Sequence, residues 1–142
     1  MIALELRRPP SANQLFRNMA AGGARARVKT HTYRAWVDEA AWEIRRVAGP
    51  RRITGRFGVI VVLGPCAGNA PDLDNMIKPI VDALVRGGAT QDDRDLDGVI
   101  AARSEQGAFV AKVDCVRVEA MEAAAFFARF GGEGMTARRE SQ

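Results

Sequence analysis

The chain has 142 residues, 47% of them hydrophobic and 27% charged, with a formal net charge of +4, which suits one soluble globular domain with a real core and leaves no room for two. No apolar run approaches the roughly 18 residues that a membrane span needs, and the amino terminus lacks a signal-peptide pattern, so the expected setting is the cytoplasm, with no membrane partner. His31 is the only histidine, and Cys66 and Cys115 lack CxxC spacing, which argues against structural zinc or a histidine-centred triad and leaves both thiols as expected buried small hydrophobes.

In chain order, Ile2, Leu4 and Leu6 alternate with Ala3, Glu5 and Arg7, the pattern of a strand buried on one face. Pro9-Pro10 ends it and Ser11-Ala12-Asn13 follows as a loop. Residues 20–30 combine glycine with three positive charges and weak periodicity, which predicts a mobile basic loop; it either orders on a phosphate backbone or is a plain solvated linker. From Thr32 to Val47 the spacing of Trp36, Ala40 and Ile44 predicts an amphipathic helix that Gly49-Pro50 stops, with Trp36 and Trp42 placed in the core or at its edge. Phe57–Leu63 is apolar on both faces and predicts a central strand. Gly64-Pro65 ends it, and the loop that follows delivers Asp72.

The next helix is predicted over Asp74–Arg86, with Met76, Ile77, Ile80 and Leu84 on one side and Asp74, Lys78 and Asp82 as a charged stripe opposite. Pro79 fits this helix if it falls in or near the first turn, and Gly87-Gly88 closes it. Val99–Arg103 and Ala108–Val118 then read as two strands joined at Glu105-Gln106-Gly107, the second with room for a bulge. Ala120–Phe130 returns to helix, and residues 131–142 form a polar tail expected to be disordered. The fold class expected is α+β, a small mixed β-sheet packed against two or three helices, in a single domain over residues 1–130.

Charge is distributed unevenly. Residues 72–97 hold three Lys or Arg against seven Asp, a local charge of −4, whereas residues 1–56 hold twelve basic against four acidic residues, a local charge of +8. Carboxylates gathered between basic flanks suit a cation, because alone they repel one another and any anionic substrate. The basic side is nearly all arginine, 18 residues against Lys29, Lys78 and Lys112, a set of forks suited to phosphate oxygens. Arg7, Arg8, Arg25, Arg27, Lys29, Arg51, Arg52 and Arg56 are the candidate DNA contacts, each with solvation as its plain alternative.

Asp72-Leu73-Asp74-Asn75, Lys78 four residues on from Asp74, Asp82-Ala83-Leu84 at the helix end and Asp92-Asp93 beyond it together resemble the RusA family of Holliday junction resolvases. Pro10-Ser11-Ala12-Asn13 is similar to that family's amino-terminal motif, so the resemblance covers about residues 2–119. It implies a magnesium-dependent homodimeric endonuclease, with manganese as a substitute ion, that nicks four-way DNA junctions symmetrically and is often carried by phages. By position it maps the catalytic and metal-binding carboxylates to Asp72, Asp74 and Asp93, and the catalytic lysine to Lys78; Asp92 stands as an additional metal candidate. The chain departs from the family in carrying Asp95 two positions after the pair, with Asp97 beyond it, an added charge that either alters metal affinity or faces water.

The chemistry asks for such residues. Phosphodiester hydrolysis needs an activated water and neutralised phosphoryl oxygens, and magnesium takes hard carboxylate ligands while keeping several waters. Asp72 and Asp74, two apart in extended chain, can reach one ion, and Lys78 either orients the attacking water or stabilises the phosphorane. Simpler readings exist for each residue: an N-cap for Asp72 or Asp74, an i,i+4 pair for Lys78 with Asp74 or Asp82, and packing for Tyr33, otherwise a conceivable nucleophile. Asp93-x-Asp95-x-Asp97-Gly98 opens like a calcium-binding loop but has Ser104 where a bidentate Glu belongs. At the level of function, a non-catalytic branched-DNA-binding dimer and a less selective metal-dependent nuclease remain the alternatives.

Overall fold

The computed structural model describes residues 1–10, 16–19, 26–29, 31–104 and 112–130, with the backbone alone at 16–19 and 26–29. Ten elements follow in order: β1 (Ile2–Arg7), β2 (Phe16–Met19), β3 (Ala26–Lys29), α1 (His31–Ala48), β4 (Phe57–Leu63), α2 (Asp74–Arg86), a 3-10 turn (Asp93–Asp95), β5 (Leu96–Arg103), β6 (Cys115–Glu122) and α3 (Ala123–Phe130). Four strands make one sheet in the order β1-β6-β4-β5, with β4 parallel to β5 and β6 antiparallel to both β1 and β4. With three helices against this mixed sheet, the fold is α+β, as the sequence pattern predicts.

β4 is the centre of this arrangement because it is apolar on both faces. Phe57, Val59, Val61 and Leu63 join β1, β6, α1 and α2 in the main core, while Ile60 joins Met121 and Phe126 of α3 in a smaller one. On the α3 face the strands need glycine. A Cβ added at Gly58 or Gly98 would lie 2.3 or 2.4 Å from the ring of Phe126, so these two positions let α3 settle directly on the backbone of β4 and β5.

Helix α2 has the predicted bounds. Pro79 is its sixth residue, just past the first turn; Asn75 loses its i+4 donor there, and the Pro79 ring is buried. Gly87 and Gly88 end the helix, Gly88 at φ +75° where a side chain would be strained.

Other expectations need revision. Ala26–Lys29 pairs antiparallel with Phe16–Met19, so part of the stretch read as a mobile loop is strand; residues 20–25 and 30 lie outside the described residues, as do the Ser11-Ala12-Asn13 loop and the 131–142 tail. β5 begins at Leu96 rather than Val99, because it extends its parallel pairing back to Phe57. β6 starts at Cys115 and runs to Glu122, and α3 starts at Ala123 rather than Ala120. Pairing with β1 and β4 holds Ala120 and Met121 in the sheet, overriding the helical preference of an Ala, Met and Glu run. Residues 105–111, including the expected turn and the start of the expected second strand, lie outside the described residues. Trp42 is 60% exposed while Trp36 is buried, so only Trp36 belongs to the core, its indole donating to the Arg7 carbonyl at 3.1 Å. Both cysteines are half-buried rather than buried.

Candidate active site

The loop leaving β4 carries the first two candidate carboxylates, and it is tied down at several points. Asp114 N–H donates to Pro65 O (2.7 Å), Ala67 N–H to Asp114 Oδ1 (3.0 Å) and the Arg103 guanidinium to Pro71 O (2.8 Å). Helix α2 then begins, with Leu73 as its N-cap and no side-chain capping bond. Neither Asp72 nor Asp74 therefore serves as the cap, which removes that simpler reading of the pair. Both are exposed, and neither forms an ion pair with any described residue. Asp74 lies in the first turn, where the helix dipole favours negative charge.

One turn along, the stripe becomes a network. Lys78 Nζ donates to Asp82 Oδ1 at 2.9 Å and lies 3.7 Å from Asp93 Oδ2. The Tyr33 hydroxyl, on α1, donates to the other Asp82 oxygen. Tyr33 is 1% exposed and the Asp82 side chain 14%. Burial, then the Asp82 bond and charge, push the Tyr33 phenol well above its ordinary range, so the Tyr33 nucleophile is set aside. The Asp82 hydrogen bond, opposed by part burial and helped by the charges of Asp82 and Asp93, raises Lys78 above its ordinary value. Lys78 is thus a cation at neutral pH, able to donate but unable to act as a base.

An open cleft of about 520 Å³ lies beside this network, lined by Val37, Lys78, Asp82, Asp92 and Asp93 among others, but not by Asp72 or Asp74. The topology explains the division. Asp72 follows the C-terminal end of β4, whereas Asp93 precedes the N-terminal end of its parallel neighbour β5, so α2 runs between them and Asp93 meets it at Lys78. Of the four mapped residues, the structure brings Lys78 and Asp93 together and leaves Asp72 and Asp74 flanking Leu73 at the helix entrance.

Of the remaining acidic residues, Asp92 and Asp97 have side-chain partners and Asp95 is held by its backbone. Asp92 caps the 3-10 turn through Arg94 N–H (2.9 Å) and takes the Arg94 guanidinium at 2.8 Å. Those Arg94 bonds hold its carboxyl well below the usual carboxylate range. Asp97, 10% exposed, pairs with Arg56. Asp95 is half-buried within the turn, its N–H bonded to Asp92 O at 3.2 Å.

Several predicted DNA contacts are also engaged. Arg7 lies 3.5 Å from Glu39 and Arg8 3.7 Å from Asp114. Arg51 bonds the carbonyls of Val47 (2.8 Å) and Ala48 (3.1 Å) at the end of α1, complementing the negative end of that helix. Arg52 is exposed in a second cleft with Arg51 and Arg129. Arg27 and Lys29 fall on β3, described by backbone alone, and Arg25 lies outside the described residues.

For a metal, the donor set is suitable: exposed aspartate oxygens are the hard ligands magnesium takes, commonly one or two carboxylates with the rest supplied by water and phosphate. Among the described residues, however, no group of three His, Cys, Asp or Glu side chains is placed to hold an ion. Leu73 between Asp72 and Asp74 is helical (φ −61°, ψ −40°) rather than extended, which corrects the expectation that extended chain turns both carboxylates to one ion; what the entrance of α2 offers is two exposed hard donors.

What sequence reasoning missed is the contact between Tyr33 and Asp82. The i, i+4, i+8 stripe marks Asp82, but nothing in the pattern points to a phenol from α1. Comparison with curated proteins found no relative. The sequence matches the Endodeoxyribonuclease RusA family over residues 7–119, most of the chain and all of the candidate site. The chain belongs to the RusA endodeoxyribonuclease family.

Proposed function

We propose that this protein is a magnesium-dependent endodeoxyribonuclease that resolves four-way DNA junctions by paired nicks, as a homodimer with one site per subunit. The observation that carries the reading is the pair Asp72 and Asp74, exposed on either side of Leu73, used neither as cap nor in an ion pair with any described residue, and followed one turn on by the cation Lys78. Neighbouring like charges repel, so two exposed carboxylates without a helix-capping or salt-bridge role among the described residues suit a cation from outside the chain. Magnesium, when bound by Asp72 and Asp74, supplies charge neutralisation and a more acidic water. Lys78, held protonated, donates to phosphate oxygen as negative charge builds there. Asp93 keeps that ammonium facing the cleft, and manganese replaces magnesium at the same oxygens. A four-way junction has two-fold symmetry and needs two cuts, which a symmetric dimer supplies.

The test compares a synthetic four-way junction, a flap and a linear duplex across one magnesium titration. Nicking of the junction alone, lost in Asp74→Asn with binding retained, is the expected result; equal nicking of duplex would remove junction selectivity. The lack of any three metal-ligating side chains placed together among the described residues favours a second reading, a dimer that binds branched DNA without cutting it. Binding that weakens with salt, with no product under any divalent ion, would establish that alternative.

A further inference from the structure

We propose that Tyr33 and Asp82 are positioning residues for Lys78: a buried phenol from α1 and a shielded carboxylate from α2 hold the ammonium toward Asp93 and the open cleft. The inference rests on Lys78 acting in the reaction, as read above. A lysine four residues before an aspartate is the weaker order for an i,i+4 helix pair, and exposed pairs of this kind contribute only a few tenths of a kcal/mol. This pair is different in one respect. Asp82 is 14% exposed and its second oxygen is taken by a hydroxyl on a residue that is 1% exposed, so the carboxylate is anchored to α1 as well as paired with Lys78, and turning it away breaks a shielded hydrogen bond. Lys78 itself is 46% exposed on a flexible four-carbon stem, and holding it in one geometry removes rotamer freedom that a free lysine would have to lose at the moment of reaction.

The same contact joins α1 to α2, so a purely structural role is the rival account, and the test has to separate them. The chain has three lysines, Lys29, Lys78 and Lys112, and Lys112 is exposed, which makes it an internal reference for pulsed amine acylation read by mass spectrometry. In the full-length protein, Tyr33→Phe and Asp82→Asn should raise acylation of Lys78 roughly threefold with Lys112 unchanged, and lower junction-nicking kcat about tenfold with KM unchanged. Adding Tyr33→Phe to Lys78→Ala should cost less than about twofold more, because its effect travels through the missing ammonium.

Unchanged Lys78 acylation in both variants overturns the proposal. So does raised acylation with unaltered turnover, or an equal tenfold loss from Tyr33→Phe with and without Lys78. If the wild-type protein nicks no junction under any divalent ion, the proposed nuclease reading fails instead, and the acylation ratio alone still decides whether Tyr33 and Asp82 hold Lys78.

Discussion

Two groups of aspartates, one at the entrance of α2 and one beyond its first turn, carry the same side chain and are treated in opposite ways. Asp82, Asp92, Asp93 and Asp97 each meet a tyrosine, lysine or arginine. Asp72 and Asp74 meet none among the described residues. Asp95, in the 3-10 turn, has only a backbone bond, so the contrast lies between carboxylates neutralised inside the fold and the exposed entrance pair, which the proposed function assigns to a ligand. On the proposed reading, the partner of the entrance pair comes from outside the chain.

The largest expected effect is on activity at the entrance pair. Asp72→Asn or Asp74→Asn should reduce junction nicking by roughly 10³-fold or more while leaving junction affinity within about threefold, measured by single-turnover cleavage and by binding in calcium. A loss of binding as large as the loss of cleavage would break the division, because it would make these residues part of the DNA contact rather than of the reacting centre.

Stability should respond in the opposite order. Asp97→Asn leaves Arg56 facing a neutral amide at a shielded position and should lower stability by about 1–2 kcal/mol, whereas Asp74→Asn removes one of two neighbouring like charges and should change it by less than about 0.5 kcal/mol. Denaturant unfolding of the two variants beside the wild type measures this directly. Equal losses would mean that Asp74 has a folding role the contacts do not account for.

Magnesium sharpens the contrast. An ion held only by the folded protein should stabilise it by about 1.4 kcal/mol at ten times its dissociation constant, and this increment should vanish in Asp74→Asn and persist in Asp97→Asn. Thermal melts with and without the ion give the answer.

The smallest effect concerns pH. Tyr33 and Lys78 both have folded-state pKa values raised above their ordinary 10.0 and 10.5, so above these values the unfolded chain binds fewer protons than the folded one and stability falls as pH rises. The contribution is complete below about pH 10 and is lost through the alkaline range. Tyr33→Phe should flatten that alkaline decline in a pH series of unfolding midpoints, and an unaltered decline would count against the Tyr33 to Asp82 bond.

Much of this was legible in the linear chain. The bounds of α2 follow from the spacing of Met76, Ile80 and Leu84 between Asp74 and the Gly87-Gly88 stop, and the central place of β4 follows from a run apolar on both faces, because these are properties an element carries in its own periodicity. The family, too, was legible in the spacing of Asp72, Asp74, Lys78 and Asp92-Asp93. The bounds of β6 and α3 were not legible in the same way, since an alanine-rich segment suits either state and neighbouring strands decided it.

What the sequence by itself determined, then, is which residues could do chemistry and which short segments fold around them. Only the tertiary structure decided which charges are spent inside the fold. Tyr33 meets Asp82 across 49 residues of chain and Arg56 meets Asp97 across 41, separations at which local pattern carries no information and only the packing of α1 on α2 and the entry of β5 beside β4 determine the partner.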